Sequence, residues 1–227
     1  SCGGKLFRSN IVGVFVSGII AQNILDSSGL IKAPEGGGAW TFIKKITASS
    51  SSTISFVNGS SDVVFDSTYK MYAVFLNGVH RSSTGNEQTL GFNLSEDTGS
   101  NYNVTKTTTV FDTYHRENGT STNVNINSSQ DLAQSTSDQN ITPEIEFGED
   151  ADASLSGVIY FYNPASTTFA KHIEIQTNFM TFYSTPWTVR AFIGMIGNTT
   201  SAIDAFQFKM SSGNIDAGEF TLYGITT

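Results

Sequence analysis

Asp204-Ala-Phe-Gln-Phe-Lys-Met210, then Ser211-Ser-Gly-Asn-Ile-Asp-Ala-Gly218, then Glu219-Phe-Thr-Leu-Tyr223, is the stretch from which the fold can be read. Phe206, Phe208 and Met210 fall on one side of a two-residue period, with Ala205, Gln207 and Lys209 on the other. Phe220 and Leu222 then alternate with Glu219, Thr221 and Tyr223. Extended backbone points successive side chains to opposite faces, so this period belongs to strands with one face buried. With Gly213–Gly218 turning the chain, the segment reads as a β-hairpin.

The same alternation recurs upstream in Trp40–Ala48, Thr53–Val57, Tyr69–Asn77, Thr89–Leu94, Thr107–Tyr114, Thr122–Ile126, Gly157–Tyr162, Phe169–Thr177 and Val189–Gly197. Runs of Ser, Thr, Asn and Gly separate these segments. Short strands without intervening helices pair antiparallel, because parallel strands need long crossovers. The predicted fold is all-β: an antiparallel two-sheet sandwich, jelly-roll-like, over residues 40–227, with an N-terminal arm before it. Composition agrees, since 94 of the 227 residues are Ser, Thr, Asn or Gly, and only 14% are charged. That balance excludes a coiled coil, a collagen-like repeat and a long helical bundle. A hydrophobic content of 38%, with 17 Phe, is enough for a packed core. No repeat of propeller or solenoid length emerges.

Residues 1–39 read differently. Val12, Phe15, Val16, Ile19, Ile20 and Ile24 fit helical spacings of three and four, and an extended arm fits them equally well. Ala33-Pro-Glu-Gly-Gly-Gly38 then reads as a linker or hinge. The formal charge of −8 is unevenly spread. Residues 1–45 hold Lys5, Arg8, Lys32, Lys44 and Lys45 against Asp26 and Glu35, so a basic arm precedes an acidic body. The arm is expected to dock on an acidic surface. No basic cluster exceeds Lys44-Lys45, so nucleic acid is not an expected partner. The apolar run Ile11–Leu25 is interrupted by Gly13, Ser17, Gly18, Gln22 and Asn23, short of the roughly 18 apolar residues of a membrane span. No membrane partner is expected. Cys2, the one cysteine, excludes an intramolecular disulfide, and Ser-Cys-Gly-Gly reads as a plain terminus rather than a lipidation site.

Four segments carry a resemblance. They are Gly36-Gly-Gly-Ala-Trp-Thr-Phe-Ile-Lys-Lys-Ile-Thr-Ala-Ser-Ser50 with Ile54-Ser-Phe56; Asp131-Leu-Ala-Gln-Ser-Thr-Ser-Asp-Gln-Asn-Ile-Thr142; Asp150–Thr168, which includes Ser156-Gly-Val-Ile-Tyr-Phe-Tyr162; and Asn198–Gly218 closing in Leu222-Tyr-Gly224. Through them the chain resembles β-rich virion proteins of aquatic tailed bacteriophages, over roughly residues 36–225. The resemblance implies an oligomeric, trimeric, non-enzymatic module on the virion exterior, with no catalytic residue to carry over. A compact body with a 39-residue arm and no fibre-shaft repeats suits a capsid decoration, or cement, protein. The major capsid protein is then the expected partner, with Lys5, Phe7, Arg8, Val12, Phe15, Ile19 and Ile20 as anchoring residues. The alternative is a tail fibre, adaptor or receptor-binding tip whose partners are tail proteins and a host surface glycan.

Little in the sequence points to catalysis. A Gly-x-Ser-x-Gly nucleophile elbow is absent, and His80, His115 and His172 are far apart. His172 falls opposite Phe169, Ile173 and Ile175, on the polar side of its strand. Glu144, Glu146, Glu149, Asp150 and Asp152 form an acidic run, and Glu149, Asp150 and Asp152 are weak calcium candidates because calcium takes carboxylate oxygens. Their spacing is not that of a calcium loop, and no cofactor is expected. Seven Asn-x-Ser/Thr triplets, at Asn58, Asn93, Asn103, Asn118, Asn127, Asn140 and Asn198, read as turn chemistry rather than glycosylation. The densest aromatic loop holds Phe179, Phe182, Tyr183 and Trp187 around Pro186. Those rings are expected in core or subunit contacts, with glycan stacking as the other reading.

Overall fold

The computed structural model describes residues 39–82, 88–143, 147–181 and 186–226. These residues form twelve strands and no helix. The strands are β1 (Trp40–Ser51), β2 (Ile54–Val57), β3 (Met71–Arg81), β4 (Leu90–Ser95), β5 (Lys106–Arg116), β6 (Thr122–Ile126), β7 (Gln139–Asn140), β8 (Leu155–Tyr162), β9 (Lys171–Met180), β10 (Trp187–Gly197), β11 (Ala205–Met210) and β12 (Ile215–Ile225). Every pairing between them is antiparallel. A large sheet runs β1-β12-β3-β8-β9-β10-β5-β6, and a small sheet runs β2-β11-β4-β7. The protein is therefore an all-β, two-sheet antiparallel sandwich. The anchoring residues expected at Lys5, Phe7, Arg8, Val12, Phe15, Ile19 and Ile20 lie outside the described residues.

The hairpin read from the sequence is not formed. β11 lies in the small sheet between β2 and β4, and β12 lies in the large sheet between β1 and β3. Both hydrogen-bonding edges of each strand are taken by other partners. What joins β11 and β12 is the core: Phe208 faces Phe220 across the sheets with ring centres 5.0 Å apart. A period of two identifies the buried face of a strand but not the neighbour that takes its backbone N–H groups, so a hairpin and an inter-sheet arch look alike in sequence. The turn is also shorter than read, because β12 begins at Ile215. Gly218 is a bulge within that strand, with φ at +123° and Val79 backbone where a Cβ would stand.

Between the sheets, Phe206 is the hub. Its ring lies 5.0 Å from Phe56, 5.0 Å from Phe65, 4.8 Å from Phe161 and 6.2 Å from Phe92. All five rings are at most 1% exposed. Burial of each ring contributes about 1.5–3 kcal/mol. Gly224 is required by close packing of another kind, since a Cβ there would run into the ring of Tyr69.

β6 pairs only with Phe111–His115 of β5, and residues 127–135 take up the rest of that edge. Val110 N donates to Asp131 Oδ1 at 2.7 Å, Leu132 N donates to Thr108 Oγ1 at 2.8 Å, and Lys106 and Ser135 exchange both backbone bonds. This loop closes a sheet edge that would otherwise be free to pair with another chain.

Candidate functional site

The outward face of the large sheet carries two groups of exposed apolar side chains, and register explains each. In one row across β1, β12, β3 and β8 the partners are Phe42, Tyr223, Ala73 and Tyr160. Phe75 stands two residues along β3, opposite Thr221. Trp40, at the start of β1, brings its ring to 5.7 Å from Phe75, 6.4 Å from Tyr160 and 6.1 Å from Tyr223. Ala73 is fully buried although it is on the outward face, because these rings close over it. Trp40 keeps 43% of its surface exposed and Phe42 keeps 58%. A shallow cavity of about 420 Å³ opens here, lined by Trp40, Phe75, Asn77, Glu219, Thr221 and Tyr223. Glu219 Oε1 accepts from Lys45 Nζ at 2.6 Å.

The second group lies at the other end of the sheet. Phe192 of β10 pairs with Phe111 of β5, and Phe111 pairs with Ile126 of β6. The two phenyl rings stack at 4.8 Å and 10°. Arg190 covers Phe192 from 5.0 Å, held by a 3.2 Å bond to Gln176. Ile126 is 85% exposed. Val124 is also exposed, and β6 is an edge strand without Lys, Glu or Pro, the residues that blunt such edges.

The aromatic loop of the sequence separates into unlike parts. Phe179 is in the core, against Phe147 at 6.4 Å. Trp187 is half-buried, stacked on Tyr114 at 4.5 Å and 22°, with the Arg116 guanidinium 4.6 Å from its ring centre. Phe182 and Tyr183 lie outside the described residues. Beside Trp187 a groove of about 440 Å³ gathers His115, Glu117, Asp152, Ser154 and Asn178. Phe179 and Trp187 are both held by neighbours in their own chain.

The acidic run is dispersed. Glu149 lies 3.3 Å from the buried Arg81 guanidinium, whose Nε donates to the Phe147 carbonyl at 2.5 Å. Asp150 offers its carbonyl to His80 Nε2 at 3.1 Å, and Asp152 lines the groove. Among the described residues no three His, Cys, Asp or Glu side chains stand together as a metal site, so the calcium grouping of Glu149, Asp150 and Asp152 does not form. Glu144 and Glu146 lie outside the described residues. The histidines also have separate surroundings: His80 is near Asp150 and Asp216, His115 lines the groove, and His172 lies beside Gly194 in a shallow trough. Phe169 is 67% exposed and precedes β9, instead of sharing the buried face of Ile173 and Ile175.

Three Asn-x-Ser/Thr triplets form the local turns expected of them. Asn118 Oδ1 accepts from Thr120, Asn127 Oδ1 from Ser129 and Asn140 Oδ1 from Thr142. Asn93 differs, being buried in β4, where its amide donates to Asp138 at 2.7 Å and to the Thr136 carbonyl at 3.1 Å. Sequence reading also missed Lys106 and Lys171, which pair with Gly197 from either side and are almost fully buried. Their Nζ groups donate to the carbonyls of Val104 and Phe169 at 3.0 and 2.7 Å. Desolvation pulls Lys106 from 10.5 down to about 8, against a smaller opposing pull from Asp138. Lys171 is lowered for the same reason.

Compared with known protein families, with curated proteins and with solved structures, the chain matches none.

Proposed function

We propose that this chain is a structural protein on the exterior of a bacteriophage virion, a trimeric capsid decoration protein that stabilises the shell. The observation that carries the reading is the outward apolar patch of Phe111, Val124, Ile126 and Phe192, which runs to β6, the last strand of the large sheet among the described residues. An exposed hydrophobic edge strand invites pairing with another chain. A second copy supplies that pairing in this reading, and the arm, residues 1–39, anchors the trimer on the major capsid protein. Apolar area buried between copies contributes roughly 25 cal/mol per Å² before the entropy of association is subtracted. Repetition around an icosahedral shell multiplies a modest contact. The resemblance of residues 36–225 to phage virion proteins supports the same assignment.

The test is a reconstruction of particles carrying the protein. Hundreds of copies at three-fold or quasi-three-fold positions of the shell are the expected result. Deleting residues 1–35 should leave a folded body that no longer joins particles, and normal incorporation would overturn the anchoring role. A handful of copies at the tail would favour the second reading, a fibre, adaptor or receptor-binding tip. The ring cluster around Trp40 is the observation that favours that alternative.

A further inference from the structure

The cavity beside Trp40 has the composition of a small-ligand site, and we propose that it binds an uncharged saccharide, with a pyranose ring lying on the exposed indole. This inference deepens the receptor-binding alternative, but it does not depend on where on a particle the chain sits. A pyranose is amphipathic in a particular way: one face presents C–H groups, while hydroxyls project around the perimeter. Its C–H groups are drawn to the electron-rich face of an aromatic ring, and its hydroxyls need donors and acceptors beside that ring.

The cavity supplies both. Phe75 and Tyr223 hold the Trp40 ring at 5.7 and 6.1 Å, while 43% of Trp40 stays exposed. Packing on three neighbouring rings pre-sets the indole, which reduces the entropy lost on binding. Thr221 lies across from Phe75, and Asn77 and Glu219 pair in the next row along the two strands. The Lys45 ammonium lies 2.6 Å from Glu219 in an exposed pair, which orients the carboxylate and leaves its charge in place. A paired carboxylate can still accept from a hydroxyl, whereas an acidic sugar would meet the Glu219 charge in a body that is itself acidic.

Size argues against a second copy as the occupant. About 420 Å³ bounded by six side chains is within the range of small-molecule sites, whereas a stable protein interface draws on roughly 20–30 residues a side.

Trp40 and Trp187 are the two tryptophans, so Trp187→Phe leaves Trp40 as the sole indole reporter. The full chain with this change would be titrated with maltohexaose, cellohexaose, mannohexaose and chitohexaose, with hexagalacturonate as the acidic probe. Calorimetry on the unchanged chain would run in parallel, which keeps the test independent of how well Trp187→Phe folds. The expected result is saturable binding of at least one neutral hexasaccharide, with a change in Trp40 emission and no response to hexagalacturonate. Trp40→Ala should weaken binding about thirtyfold or more, and Asn77→Ala about tenfold, in proteins that melt as the parent does. Absence of binding to all four neutral probes would overturn the proposal, as would binding that survives Trp40→Ala. A Trp40→Ala protein that changes its mass in solution and whose parent binds no sugar would assign the face to a second copy instead. None of these outcomes bears on the virion assignment, which is decided by locating the chain on particles.

Discussion

Two clusters of aromatic rings lie on opposite faces of the large sheet, with similar spacings and opposite exposure. Inside, Phe206 has Phe56, Phe65, Phe92 and Phe161 at 4.8–6.2 Å, all sealed from water. Outside, Trp40 has Phe75, Tyr160 and Tyr223 at 5.7–6.4 Å and remains 43% exposed. Ring-to-ring contact therefore does not distinguish core from surface. The second layer does: among the described residues four strands pack against one face of eight and none against the other, where Trp40 and Phe42 stay exposed.

The sharpest way to break this comparison is to truncate one ring from each cluster. Phe206→Ala should lower unfolding free energy by about 3–5 kcal/mol, because it removes a buried side chain and leaves a cavity. Trp40→Ala should lower it by no more than about 1 kcal/mol. Denaturant titration of both variants checks the pair, and similar losses would mean that the outer cluster is as structural as the inner one.

A smaller effect comes from the charges that the covering layers bury. Unfolded, Lys106 keeps its proton up to its ordinary value of 10.5; folded, it releases it near 8. Between these pH values the unfolded state binds more protons, so this group's contribution to stability rises with pH from about 8 to about 10.5. Below pH 8 the folded protein bears the full penalty of the buried ammonium. Lys106→Met should flatten that part of the pH profile, removing a rise of roughly 1–3 kcal/mol. An unchanged slope in thermal melts between pH 8 and 10 would show that the amine is better solvated than its position implies.

The smallest expected change in stability belongs to the open end of the outer face. Val124→Lys with Ile126→Lys should alter unfolding by no more than about 0.5 kcal/mol, since both side chains already face water. If the proposed trimer forms through this edge, the same pair of changes should leave monomers in light scattering. A trimer that persists would exclude this edge from assembly and direct attention to the remaining exposed rings.

Much of the strand content was legible. Thr122–Ile126 coincides with β6, and Trp40–Ala48, Thr89–Leu94 and Gly157–Tyr162 match β1, β4 and β8 to within three residues at either end. β7 went unread because two residues, Gln139 and Asn140, are too short to show a period. The strand reading Thr107–Tyr114 stops one residue short of Lys106; a lysine ordinarily marks the surface, and here the Val104 carbonyl receives its ammonium in the interior. The candidate site was hardly legible at all. Trp40, Phe75, Asn77 and Tyr223 are spread over three strands, and no local pattern marks them as neighbours. The loop that looked aromatic in sequence instead places Phe179 in the core and Trp187 against Tyr114 and Arg116.

By itself, then, the sequence determined the all-β class, the antiparallel two-sheet build and the side of most strands that faces inward, because alternation is a local property of extended backbone. Tertiary structure alone decided that β11 and β12 part into different sheets, that two lysines are buried beside Gly197, and that Trp40 gathers three rings on the outward face of the large sheet. Each of these depends on contacts between segments far apart in the chain, and such contacts are settled only when competing strands claim the same hydrogen-bonding edges and the same apolar faces.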